Sequence, residues 1–305
     1  MISRRSLVAT AASGLLAHGA TTIPAHACDC HTHIFGNSRQ FPFSPNRRYT
    51  PGTALPEEMA TLHRKLHMER VVIVTPSVYG TDNSATLYGL KVRGPSARGV
   101  AVIDDKTSDR DLDAMAKAGI RGIRLNLATA GIDNAAAGRQ LFQAAAIRMA
   151  ERDWHIQMFT SLAVITAIKD LVLASPVPVV FDHFGGAEAA RGLHQPGFAD
   201  LVELLKSGKA YVKLSGAYRV SQRAPDYPDA APLAKALIAA NRDRILWGTD
   251  WPHPDSAPTT GKALVTTPFL QVDDARLLHE LERWSGDEVT LRKILVDNPA
   301  KLYEF

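Results

Sequence analysis

The chain has 305 residues, 46% hydrophobic and 22% charged, the composition of an ordinary soluble globular protein long enough to bury a full core. Its formal net charge of +4 is not gathered into Lys/Arg clusters interleaved with aromatics, which excludes the usual footprint of a nucleic-acid-binding protein. The only cysteines, Cys28 and Cys30, stand too close on an extended segment to close a relaxed disulfide.

From the N-terminus, Ser3-Arg4-Arg5-Ser6-Leu7 opens a weakly apolar, Ala/Gly-rich run, and Ala25-His26-Ala27 is a small-x-small cleavage site. The run carries His18 and is too polar for a membrane span. A paired arginine before a mild apolar region resembles a twin-arginine export signal. Residues 1–27 are therefore expected to be a leader removed on export to the periplasm. Residues 28–305 would remain as one domain without membrane attachment; an unused leader would leave the protein cytoplasmic. Ala25-His26-Ala27-Cys28 lacks the apolar residue that a lipoprotein site carries.

Beyond the leader, short β-branched runs alternate with amphipathic or Ala/Leu-rich stretches. Strands are predicted over 28–34, 70–75, 99–103, 122–125, 155–159, 177–181, 210–214 and 244–247, and helices over 56–67, 109–118, 135–152, 162–174, 198–207 and 232–241. Val71-Val72-Ile73-Val74 and Val177-Pro178-Val179-Val180-Phe181 are continuous apolar runs, as parallel strands covered on both faces should be. Eight strands with crossover-length connections predict an α/β fold, a single-domain (β/α)8 TIM barrel. An open doubly wound sheet is the alternative, weakened because no G-x-G-x-x-G follows the first strand. The Pro/Asn/Ser/Arg-rich segment 35–56 and the irregular stretch 252–268 are predicted as long loops on the catalytic face of that barrel.

The chemistry begins at Asp29-Cys30-His31-Thr32-His33. Side chains two apart on a strand share a face, so His31 and His33 are expected to point into the barrel mouth with Asp29 behind them. Cys28, Cys30 and Thr32 would then face the helices. Two close imidazoles make a metal foothold or a polarising pair for a carbonyl or water. His183 follows an apolar strand in Phe181-Asp182-His183-Phe184-Gly185-Gly186, where the glycines permit a sharp turn. Asp250, in Gly248-Thr249-Asp250-Trp251-Pro252-His253, ends the strand that closes against the first and suits a general base acting on water. Arg124 sits at a strand tip and Arg219 just beyond another, where a guanidinium fork suits a carboxylate.

Together, H-x-H on the first strand, Asp-His-Phe-Gly on the sixth, Gly-Thr-Asp-Trp-Pro-His on the eighth and Asn298-Pro299-Ala300-Lys301-Leu302-Tyr303 resemble the amidohydrolase superfamily. The branch they resemble is that of the 2-pyrone-4,6-dicarboxylate lactonases, which Tyr49-Thr50-Pro51 also matches. The resemblance implies hydrolysis of a small carboxylated lactone, within the breakdown of aromatic compounds. His31, His33 and His183 would surround the scissile carbonyl and Asp250 would activate water. Tyr49, Ser77, Arg124 and Arg219 would hold the substrate.

Two departures qualify it. The fourth strand offers Arg124 and Asn126 where metal-dependent relatives place Lys or Glu, and His155 on the fifth lies near its start, low in the barrel. A binuclear metal site is not expected, and no cofactor is expected; one zinc ion held by His31, His33, His183 and Asp250 stays open. A further arginine shortly after position 124 is missing from Asn126-Leu127-Ala128-Thr129-Ala130-Gly131, which leaves a second acid group of the substrate without a partner. The other readings are a zinc-dependent decarboxylase or amide hydrolase, a sugar-acid lactone isomerase, or a non-catalytic exported acid-binding protein.

Overall fold

The computed structural model describes residues 22–256 and 265–305. Eight parallel strands follow in chain order: β1 (Cys28–Thr32), β2 (Arg70–Val74), β3 (Ala97–Ala101), β4 (Ile120–Asn126), β5 (His155–Phe159), β6 (Val179–Phe181), β7 (Ala210–Ser215) and β8 (Ile245–Gly248). Each pairs with its chain neighbour. The circle closes just past β8, where the Asp250 amide donates to the His31 carbonyl (2.8 Å) and the His33 amide to the Trp251 carbonyl (2.8 Å). Closure leaves no unpaired edge, and helices fill the crossovers that parallel pairing demands. This is the expected (β/α)8 barrel. The helix Ser84–Arg93 and the C-terminal helices Asp274–Ser285, Glu288–Arg292 and Asn298–Tyr303 were not predicted.

Of the expected leader, residues 1–21 lie outside the described residues. The remainder joins the folded unit. Ala27 is fully buried, its carbonyl accepts the amides of Glu69 and Arg70 (both 3.0 Å), and His26 meets Glu69 at 2.9 Å.

Strand alternation sorts the core into two layers. Val71, Ile73, Ile123, Ile156, Val179 and Trp247 pack outward against helix residues such as Leu90, Leu112 and Met149. The intervening Val72, Val74, Val100, Val180, Tyr211 and Leu246 form a separate interior cluster, joined by Tyr303 from the C-terminal helix. Tyr303 is fully buried and makes an edge contact with His155 (ring centroids 5.2 Å), so His155 does lie low in the barrel.

β1 departs from simple alternation. Asp29 pairs with Val71 and Thr32 with Ile73, so three residues on β1 advance against two on β2. This is a β-bulge, and it puts two consecutive residues, Cys30 and His31, opposite the inward-facing Val72. The expectation that Cys28 and Cys30 face the helices is therefore corrected: both belong to the interior cluster. Asp29, expected on the face of His31 and His33, points outward to His63 on the helix Pro56–Leu66 (Oδ2 to Nε2 3.2 Å). It also accepts the Thr249 hydroxyl (2.6 Å) and amide (3.0 Å), fastening β1 to the end of β8.

The loop after β1 covers the C-terminal mouth. Thr50–Pro51 pairs in parallel with Thr266–Thr267, and Phe35 bridges to Ala54. Phe35, Phe41, Tyr49, Val78 and Tyr79 form a third apolar cluster beneath this cap, which is why a Pro-rich segment holds one conformation.

Candidate active site

The inward half of β1 and the tips of β4, β6, β7 and β8 converge on one buried cluster at the barrel mouth. His33 Nδ1 donates to the Val74 carbonyl (2.7 Å), which leaves Nε2 with a free lone pair 3.4 Å from Asp250 Oδ1. His31 Nε2 lies 3.6 Å from the same oxygen. His183 turns its Nδ1 to the Ser215 carbonyl (3.3 Å) and hydroxyl (3.0 Å), with Nε2 3.9 Å from Asp250 Oδ2. Burial, the largest influence on each, lowers the pKa of all three; His183 falls to about 4, and neutral imidazoles result.

Asp250 is fully buried and ionised. Its Oδ2 accepts Arg219 Nε (2.5 Å) and the Tyr218 hydroxyl (2.6 Å), whereas its Oδ1 has no hydrogen-bond partner. Burial pushes its carboxyl up, but Arg219 leads the opposing influences and the carboxyl is held well below the usual range. Both Asp250 and His183 have positive φ, at 65° and 48°, a conformation that side chains adopt only when the surroundings fix them. Two glycines make the approach possible. A Cβ on Gly248 would stand 2.6 Å from the His31 amide nitrogen. One on Gly216, whose φ is +58°, would stand 3.0 Å from His183 Nδ1 and 3.1 Å from Asp250 Oδ2.

The expected substrate-holding residues meet here too. Tyr49, Ser77, Arg124 and Arg219 line one inner pocket with His33 and His183. Burial pushes the Tyr49 phenol up to about 12, so it remains a hydrogen-bond donor. Arg219 also reaches Ser256 Oγ (3.0 Å) and the Pro254 carbonyl (3.1 Å), spanning the boundary between this pocket and an outer cleft of about 800 Å³. Among the described residues lining that cleft, Arg219 is the sole Arg or Lys, and the carboxylates of Asp133, Glu188 and Asp255 stand with neutral polar groups such as Thr129, Ser161 and Gln222.

Sequence reasoning missed a second set of charges beneath the histidines. Asp182, quoted only as part of a motif, is fully buried; its Oδ2 accepts Arg124 Nε (3.3 Å), Arg124 Nη2 (3.2 Å) and Gln157 Nε2 (3.0 Å). Lys213, also fully buried, donates to Gln157 Oε1 (2.7 Å) and lies 3.5 Å from Asp182 Oδ1. The available signal was a lysine on the inward register of Tyr211-Val212-Lys213-Leu214-Ser215. Tyr218 was missed as well, although it directly precedes Arg219.

The same donors have the chemistry of a metal site. His31, His33 and Asp250 offer ligand atoms within 4.8 Å of one another, and His31, Asp182 and His183 form an overlapping group. Separations of 3.4 and 3.6 Å suit ligands each about 2 Å from a shared zinc ion. His31 Nε2 and Asp250 Oδ1 are buried atoms without hydrogen-bond partners. In spacing, the site fits one divalent ion.

Comparison with known proteins agrees with the motifs. A family model described as amidohydrolase matches residues 28–305. The 4-sulfomuconolactone hydrolase of Rhizobium radiobacter is 33% identical over 281 residues, covering 92% of this chain and 91% of its own. The 2-pyrone-4,6-dicarboxylate hydrolase of Comamonas testosteroni is 32% identical over 293 residues, with coverages of 92% and 91%. A Pseudomonas putida structure described as a 2-pyrone-4,6-dicarboxylic acid hydrolase superimposes with a TM-score of 0.74 at 30% identity, covering 92% of this chain and 98% of that one. With the matched region spanning the whole barrel and the histidine and aspartate motifs at strand ends, the chain belongs to the amidohydrolase family.

Proposed function

We propose that the protein hydrolyses a carboxylated lactone, with Asp250 as the base that takes a proton from the attacking water. The observation that carries this reading is the charge of the pocket. Arg124, Lys213 and Arg219 face only two carboxylates, Asp182 and Asp250, while the histidines are neutral. The excess is positive, and it lies beside a polarising group of imidazoles. Capturing an acid would need the arginines alone; the histidine–aspartate cluster has a use only if a bond is broken. The curated relatives named as lactone hydrolases support the same reaction class.

In this mechanism Arg124 and Arg219 hold the substrate carboxylate and set the lactone carbonyl among His31, His33 and His183. Water bound at the open Oδ1 of Asp250 and the lone pair of His33 attacks the carbonyl, and the proton passes to Asp250. Imidazole N–H and the Tyr49 phenol stabilise the developing oxyanion. The outer cleft offers one arginine, which suits a substrate with a single acid group near the reacting ring. No resident metal is required, since Arg219 and Lys213 already place positive charge against the donor set. A divalent ion held by His31, His33 and Asp250 would, when bound, polarise the carbonyl as a Lewis acid.

Asp250→Asn keeps the shape of the site and should lower turnover of carboxylated lactones by about 10²–10⁴-fold. Unchanged turnover in that variant refutes the role of Asp250. Equal rates on free acids and their neutral methyl esters would refute the carboxylate requirement. We also propose export through the leader, supported by the paired arginines; among the described residues no helix is long and apolar enough to cross a membrane.

A further inference from the structure

The imidazole of His31 meets two groups with opposite demands. Its Nδ1 lies 3.3 Å from Lys213 Nζ, which can only donate, and 3.2 Å from Asp182 Oδ1, which can only accept. The first places the His31 proton on Nε2, facing the site. The second places it on Nδ1 and leaves Nε2 a lone pair, the form a metal requires.

The surroundings decide between them. Three acceptors surround the Lys213 ammonium: Gln157 Oε1 (2.7 Å), His31 Nδ1 (3.3 Å) and Asp182 Oδ1 (3.5 Å). Gln157 Oε1 and His31 Nδ1 take two of its hydrogens, and Asp182 Oδ1 stands by as a charge partner without a hydrogen bond. Gln157 is fixed in orientation because its amide nitrogen donates to Asp182 Oδ2, which turns its oxygen to the lysine. Asp182 Oδ1, although near the ring, takes no hydrogen bond of good geometry from it. On the opposite edge, His31 Nε2 faces the unpartnered Oδ1 of Asp250, an acceptor for an N–H.

We propose that Lys213 is a positioning residue that holds His31 in its Nε2–H tautomer, making His31 the hydrogen-bond donor to the lactone carbonyl and not a metal ligand. This rests on the hydrolytic reading given above. His33, with its proton fixed on Nδ1 by the Val74 carbonyl, is in the opposite tautomer. The pair thus divides the work: His33 accepts from the attacking water while His31 donates to the carbonyl oxygen. The sequence motif H-x-H presents two identical residues; the floor beneath one makes it different from the other.

The test is ¹⁵N–¹H correlation spectroscopy of the histidine rings in the whole protein, with His31 assigned by its loss in His31→Asn. The expected result is a pyrrole-type Nε2 for His31 and a pyridine-type Nε2 for His33. In Lys213→Met, His31 Nδ1 is left with Asp182 alone, so its Nε2 should become pyridine-type. Turnover should fall about 10²-fold, the scale of one lost oxyanion donor, while Arg124 and Arg219 remain in place to hold the carboxylate. Zinc titrated into this variant should also bind more tightly than to the wild type. A pyridine-type Nε2 for His31 in the wild-type protein overturns the proposal, and that spectrum needs no variant to fold. Hydrolysis of no carboxylated lactone would instead refute the functional reading and leave the tautomer result standing.

Discussion

His155 provides a measurement of how the barrel floor tolerates acid. Both ring nitrogens are buried without hydrogen-bond partners, beneath Tyr303, and burial lowers the imidazole pKa to about 3. An unfolded histidine titrates near pH 6.5, so between these values the unfolded chain binds a proton that the folded chain refuses. The stability that the neutral ring contributes is present above pH 6.5 and is lost as pH falls. At pH 5 the linkage cost of this one residue is about 2 kcal/mol, against about 0.2 kcal/mol at pH 7. His155→Leu, of similar volume, removes the titration. Urea unfolding of both proteins at pH 7, 6 and 5 should show the wild type losing about 2 kcal/mol more than the variant. Other buried histidines, His183 among them, remain in both proteins and cancel in the difference. Parallel pH dependences would refute the reasoning, whatever the offset between the two curves.

Two further outcomes follow from close contacts. Gly248→Ala would press a methyl group on the His31 backbone, so β1 and β8 must part; a loss of about 1–3 kcal/mol in urea unfolding and a fall in turnover are expected, and wild-type values for both would refute the contact. If the leader is processed after export of the folded protein, N-terminal sequencing should return a start upstream of Ile23. The Ala27–Cys28 bond, with both residues fully buried, is out of a peptidase's reach, and a start at Cys28 would refute this.

How much of this was visible in the amino-acid order depended on whether a residue acts through its own strand or through another. The eight strands follow from apolar runs and spacing, and strand-end position was enough to gather His31, His33, His183 and Asp250, while for Arg124 and Arg219 it agreed with the family likeness that singled them out. Tyr49 and Ser77 came from family likeness, because loop residues carry no period. Asp182, Gln157 and Lys213 were not found, since each comes from a different strand and their meaning lies in mutual distances. The orientation of Asp29 and Cys30 was misread for a different reason. Alternation assumes an unbroken ladder, and an extra residue in one strand leaves no trace in that strand alone.

The bulge in β1 separates two reading frames within five residues. Below it, Cys28 and Cys30 keep step with the apolar lining; above it, His31 and His33 keep step with the chemistry. Either half can therefore change without rotating the other. A substitution at Cys28 alters packing and leaves the imidazoles aimed. Deleting one residue between Asp29 and Thr32 would straighten the ladder and force the strand to choose between its lining and its catalytic pair.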